Sequence, residues 1–145
     1  MVFINYPEPG FRIRKEDGKD FIFDTLRKKW LVLTPEEWVR QNFVQYLIQT
    51  KNYPSTLIAL EKEIQFGELK KRFDILVYDN NHRPWMMIEC KAKEVKLDED
   101  VLQQALRYNI SMPVLYVVIT NGSYTHAWQK ESDGLRSIDE IPGWK

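Results

Sequence analysis

A chain of 145 residues suits one domain with one core, and its hydrophobic content of 43%, with five Trp, seven Tyr and seven Phe, is too high for a disordered segment. Its 21 basic residues balance 21 acidic ones, which argues against a protein that coats nucleic acid through bulk charge. The single cysteine, Cys90, excludes an intrachain disulfide and fits a reducing, cytoplasmic setting. Early prolines and charges in MVFINYPEPGFRIRKEDG do not suit a signal peptide, and no apolar run approaches the roughly 20 residues of a membrane span, so no membrane association is expected.

Residues 11–15 and 20–24 alternate around Glu16-Asp17-Gly18-Lys19, which predicts a hairpin within an N-terminal region of about 11–33. Thr34-Pro35-Glu36-Glu37 opens a helix: Thr34 is an N-cap, Pro35 fits the first helical position, and Glu37 completes a capping box. Trp38, Val39, Phe43, Tyr46 and Leu47 recur at helical spacing to about Lys51, and Tyr53-Pro54-Ser55 ends the helix. Strands are expected at 57–66, 72–79 and 85–91, with turns at Gly67 and at Asn80–Arg83. A second helix runs from an Asp98 cap to about Tyr108. Pro113–Thr120 reads as a buried strand, and Asn121-Gly122 turns into a last strand over 124–129. Beyond Ser132 the pattern predicts nothing. The expected architecture is α/β: a mixed sheet of antiparallel strands plus a parallel crossover strand, flanked by two helices, with an N-terminal hairpin. Residues 1–145 form a single domain with its core at about 34–130.

The chemistry concentrates in the second and third strands of that core. Asp74 and Glu89 are equidistant from the turn between these strands. In that register Phe73 faces Cys90, Ile75 faces Ile88 and Val77 faces Met86, which makes one apolar face. The opposite face pairs Arg72 with Lys91, Asp74 with Glu89, and Leu76 with Met87; a slip of one residue destroys both patterns. Opposed carboxylates repel, so a shared proton, neighbouring cations or a divalent ion must compensate. Mg²⁺ takes one or two carboxylates and keeps water and phosphate in the rest of its shell. Lys91 stands beside Glu89, placed to hold a water or to neutralise phosphate charge, the set that metal-assisted phosphodiester hydrolysis requires.

Asp74 followed by Glu89-Cys90-Lys91 resembles the PD-(D/E)xK nuclease superfamily, whose core has the same element order. Arg72-Phe-Asp74, Ile88-Glu89-Cys90-Lys91 and Gln104-Ala-Leu-Arg-Tyr108 are similar to the N-terminal nuclease domain of type I restriction enzyme R subunits, the last matching its Q-x-x-x-Y motif. Thr34-Pro-Glu-Glu-Trp-Val-Arg40-Gln41 and Thr120-Asn-Gly122 resemble small stand-alone members. The resemblance covers roughly residues 20–130 and implies a restriction-endonuclease-like fold. It implies that Asp74, Glu89 and the Cys90 carbonyl bind Mg²⁺ (with Mn²⁺ as a substitute) and that Lys91 is the catalytic lysine. It also implies that Gln104 and Tyr108, with Arg72, flank the site or touch nucleic acid, DNA above all. Arg72-Phe stands before Asp74 where the founding motif has Pro. The translocase motor of the restriction subunits has no counterpart here, so a separate helicase or specificity partner, or a homodimer, is the expected context.

Plainer readings compete. Asp74, Glu89, Lys91 and Arg72 also read as an ion-pair cluster on a sheet face. Glu37, a candidate acidic ligand together with Glu36, reads better as a capping residue. Glu61 and Glu63 share a face of the first core strand and are further acidic candidates, with edge solvation as the alternative. His82 and His126 have no ligand partner at useful spacing, and Cys90 reads as core. Trp30 and Trp85 are mostly core aromatics, with base stacking the alternative. The leading expectation is a metal-dependent nuclease of restriction or repair type. The alternatives are a non-catalytic nucleic-acid- or partner-binding module on the same scaffold and a purely structural dimerising module.

Overall fold

The computed structural model describes residues 1–144. Strands β1 (Ile13–Glu16), β2 (Lys19–Asp24) and β3 (Lys29–Val32) form a small antiparallel sheet. Helix α1 (Pro35–Gln45) leads through a π-helical turn at Tyr46–Thr50 to β4 (Ile58–Phe66), β5 (Leu69–Tyr78) and β6 (Pro84–Cys90). Helix α2 (Glu99–Asn109) then connects to β7 (Tyr116–Thr120), β8 (Thr125–Glu131) and β9 (Gly134–Ile138). The large sheet has the order β4-β5-β6-β7-β8-β9, and β6 and β7 are its parallel pair, joined by the α2 crossover.

The expected α/β class, the two helices and the crossover are all present. Two strands carried no readable signal. β3 follows a tight turn in which Asp24 Oδ1 accepts from the main-chain N–H groups of Leu26 (2.8 Å) and Arg27 (3.0 Å), so the hairpin becomes a three-stranded sheet. β9 lies beyond Ser132, pairs with β8, and buries no residue fully, so it has no alternation to read. β7 starts at Tyr116, three residues later than the apolar run, because Pro113 has no N–H to donate and Met112 turns back on Val114.

Local chemistry explains the helices. Thr34 Oγ1 accepts from the Glu37 N–H at 3.0 Å, and Asp98 caps α2 by accepting from Val101 at 3.0 Å. The capping box is only half made, because the Glu37 carboxylate turns to Arg27, Arg40 and Gln41 instead. Val39, Phe43 and Val44 of α1, with Leu47 of the π-helical turn, pack against Ile58, Leu60, Ile75, Val77, Met86, Ile88 and Cys90. Each such side chain contributes roughly 1.5–3 kcal/mol of transfer free energy. On the other side of the sheet, Leu106 of α2 packs on a smaller cluster of Phe73, Leu76, Met87, Met112, Val114 and Val117. The sheet is thus covered by α1 on one face and α2 on the other.

The predicted β5–β6 register holds where Ile75 faces Ile88, Leu76 faces Met87 and Val77 faces Met86. It does not extend to Asp74, Phe73 or Arg72, because the ladder ends at Ile75 and the strands fork. Phe73 lies in the α2-side cluster and Cys90 in the α1-side core, so the expected Phe73–Cys90 pair does not form. The cause is in β4, where Glu61 sits at φ +55°, a left-handed conformation costly for a side chain of this kind. Leu60 before it faces α1, whereas Ile64 after it faces α2. β5 stays in register with β4 through this reversal (Leu60 with Ile75, Lys62 with Phe73), so it turns over as well and leaves β6. The β4–β5 arm departs with its Lys71 and Phe73 toward α2.

Candidate active site

Asp74 stands at the crotch of the fork. With no ladder partner there, the Cys90 N–H donates to Asp74 Oδ2 at 2.7 Å, so the carboxylate takes the place of a strand carbonyl. Burial pushes the Asp74 carboxyl above its usual range, against the Cys90 N–H and Arg40, and Glu36 and Glu89 push the same way as burial. Along β6, Met86, Ile88 and Cys90 face α1, so Glu89 faces α2. Lys91 lies 3.1 Å from Glu89 Oε2, and Lys71 lies 3.8 Å from Glu89 Oε1. A cavity of ≈ 240 Å³ opens at the fork and is walled by Asp74, Glu89, Lys91, Arg72, Lys71 and Glu36, together with the Cys90 segment. A second cavity adjoins it and is lined by Gln104 and Tyr108 of α2 with Lys71, Glu89 and Lys91. Asp74, Glu89, Lys91 and Arg72 are therefore brought together, with Gln104 and Tyr108 beside them.

Cations compensate the two carboxylates. Arg40 of α1 is buried, with its Nη2 3.9 Å from Asp74 Oδ1, 3.3 Å from Glu36 on one side and its Nη1 3.5 Å from Glu37. It also donates to Glu61. Burial alone would lower its pKa, but the Glu37, Asp74 and Glu61 carboxylates outweigh that and raise it. Glu61 is further held by Arg72 Nε at 2.7 Å.

The remaining acidic candidates separate. Glu36 lines the cavity, whereas Glu37 is buried in ion pairs with Arg27 (3.4 Å) and Arg40. Glu61 is held by Arg40 and Arg72, whereas Glu63 is exposed and lies 3.5 Å from Lys70. The Cys90 thiol is buried among apolar side chains, and burial, then Asp74, pushes its pKa up. His82 occupies a turn at φ +58°, and His126 stacks on Trp128. Trp85 is buried between Tyr53 and Tyr116, so it is unavailable to bases. Trp30 lies under the Arg12 and Arg14 guanidiniums.

Lys71 is the residue that the sequence pattern missed. It stands in the basic run Lys70-Lys71-Arg72, yet it is buried, with its ammonium 3.6 Å from the centre of the Tyr108 ring. Burial lowers its pKa, while Glu89 and Asp74 oppose the shift. The alternation Lys71, Phe73 was the available signal, but the face reversal hid it.

The donor set suits a hard cation. Asp74 Oδ1 lies beyond hydrogen-bond distance from Arg40, Glu89 lines the same cavity, and every candidate ligand is oxygen. Among the described residues no group of three His, Cys, Asp or Glu side chains converges. The pair Asp74 and Glu89 at one cavity fits Mg²⁺, which binds through one or two carboxylates and retains water. It does not fit a metal that needs a closed protein cage.

A mixed sheet forked at a half-buried aspartate, with a glutamate on the neighbouring strand and a lysine just past its end, defines a restriction-endonuclease-like α/β domain. Residues 35–142 match the family of the type I restriction enzyme R protein N terminus (HSDR_N), and the chain belongs to that family, a nuclease-related module. The match leaves out β1, β2 and β3. No curated protein matches the chain. Among the described residues no helix is long and apolar enough to cross a membrane.

Proposed function

We propose that the chain is a Mg²⁺-dependent nuclease that hydrolyses phosphodiester bonds of DNA. The observation that carries this reading is the meeting of Asp74, Glu89 and Lys91 at one cavity in the fork. Asp74 and Glu89 would hold the cation, with the Cys90 main chain beside it. When bound, Mg²⁺ supplies a Lewis acid for the phosphate and a more acidic bound water. Lys91 keeps its ammonium 3.1 Å from Glu89 and reaches the cavity, where it orients the attacking water or offsets charge growing on the phosphate. The Cys90 N–H holds Asp74 in one orientation, so the site is pre-shaped before any ligand arrives. Gln104 and Tyr108 extend the wall along which a nucleic-acid strand would run.

Incubation with DNA and Mg²⁺ or Mn²⁺ is expected to give cleavage, and Lys91→Ala to abolish it. Cleavage that survives this substitution overturns the assignment. A second reading, a nucleic-acid- or partner-binding module without catalysis, draws on the ion pairs that already neutralise both carboxylates. Metal-independent DNA binding with no cutting of any substrate selects it. The family also supports a subunit context, with a separate motor or specificity chain as partner, and a soluble cytoplasmic setting.

A further inference from the structure

Lys71 has no place in the motif residues, yet its surroundings are unusual for a lysine. Its side chain is 9% exposed, its ammonium lies 3.6 Å from the Tyr108 ring centre, and Phe73 is the next ring at 5.9 Å. The nearest carboxylate oxygen, Glu89 Oε1 at 3.8 Å, is too far for a direct hydrogen bond. An aromatic face attracts the charge but accepts none of the directional bonds that an ammonium offers. The charge is therefore held in place while its donors remain to be used. Lys71 lines both the fork cavity and the adjoining α2 cavity, so it stands on their shared wall. A phosphodiester brings the complementary features: one negative charge and acceptor oxygens.

We propose that Lys71 binds a phosphodiester oxygen of the nucleic acid and that Tyr108 is a positioning residue whose ring holds the Lys71 ammonium at the cavity wall. This rests on the nuclease reading above. On this account the Q-x-x-x-Y tyrosine acts through a lysine on the β4–β5 arm. The phenol hydroxyl is dispensable and the ring is not.

The test measures binding of a fluorescein-labelled DNA duplex by anisotropy, with Ca²⁺ replacing Mg²⁺, over a range of salt concentrations. Lys71→Met keeps the stem and removes the charge. It is expected to weaken binding about tenfold, as for one charge-assisted hydrogen bond, and to reduce the slope of log K against log salt by about 1. Lys71→Arg should retain the slope. Tyr108→Phe should bind like wild type, while Tyr108→Leu should lose about threefold to fivefold, the scale of a partly desolvated cation–π contact. Thermal melting of each variant separates these effects from loss of fold. If Lys71→Met melts like wild type and keeps both affinity and slope, while wild type cuts DNA with Mn²⁺, the Lys71 inference fails alone. If wild type neither binds nor cuts DNA, the nuclease reading fails and the inference with it.

Discussion

The two sides of the fork both carry charge and treat it differently. Toward α1, the buried Arg40 guanidinium is surrounded by Glu36, Glu37, Glu61 and Asp74, and Arg72 and Arg27 complete the network. Planar guanidiniums with several donors suit such a fixed, multiply bonded cluster. Toward α2, Glu89 lies between two ammoniums, Lys71 and Lys91, at 3.8 and 3.1 Å, and Tyr108 is exposed beside them. These single-point cations make no multiply bonded cluster and line the cavities. The contrast separates charge that supports the fold from charge available to a ligand. Asp74 belongs to both sides, because one oxygen is bound to the β6 main chain and the other is directed at Arg40.

Breaking the α1 network should give the largest effect on stability. Arg40→Leu leaves Glu37, Glu61 and Asp74 without their shared partner in a largely buried setting. A loss of about 3–5 kcal/mol is expected in urea unfolding, typical of removing one partner from a buried charge cluster. On the α2 side the converse holds. Lys91→Ala should abolish detectable cleavage, a loss of at least about 10²–10³-fold. Its unfolding midpoint should hardly move, because the Lys91 side chain is 36% exposed. An equal loss of stability in both variants would erase the distinction.

Asp74→Asn sharpens the comparison through pH. The Asp74 carboxyl is raised above its unfolded value, chiefly by burial. Its contribution to folding is therefore fully present below the unfolded pKa and is lost as pH rises through the folded one. The amide does not titrate, so the stability of Asp74→Asn relative to wild type should improve as pH rises from acidic to neutral. Thermal melts across that range check the sign, and the opposite trend would mean that Arg40 and the Cys90 N–H outweigh burial. Mg²⁺ should raise the Tm of wild type and not of Asp74→Asn. The smallest effect belongs to Glu63→Gln. Glu63 is exposed and pairs with exposed Lys70, so neither melting nor Mg²⁺ response should change detectably.

Much of this fold was readable because its signals are local. The Thr34 and Asp98 caps, the helical stripe of α1 and the alternation of Ile75, Val77, Met86 and Ile88 each depend on neighbours a few residues away. β3 and β9 escaped because short, half-exposed strands need no apolar pattern. Trp85 and Trp30 look alike in sequence, yet one is buried between tyrosines and the other lies beneath arginines.

The sequence alone determined the α/β class, the order of elements in the core, and the convergence of Asp74, Glu89 and Lys91 around the β5–β6 hairpin. Hydrophobic periodicity sets the register from Ile75 to Val77, and that short ladder brings the segments that carry Asp74 and Glu89 side by side. Only the tertiary structure decided how those residues meet. The left-handed turn at Glu61 reverses the faces of two strands, opens the fork, puts Asp74 on the Cys90 N–H in place of a ladder bond, and carries Lys71 onto Tyr108. A backbone angle at one non-glycine residue leaves no periodic trace, and the contacts that hold it, from Arg40 and Arg72, come from residues distant along the chain.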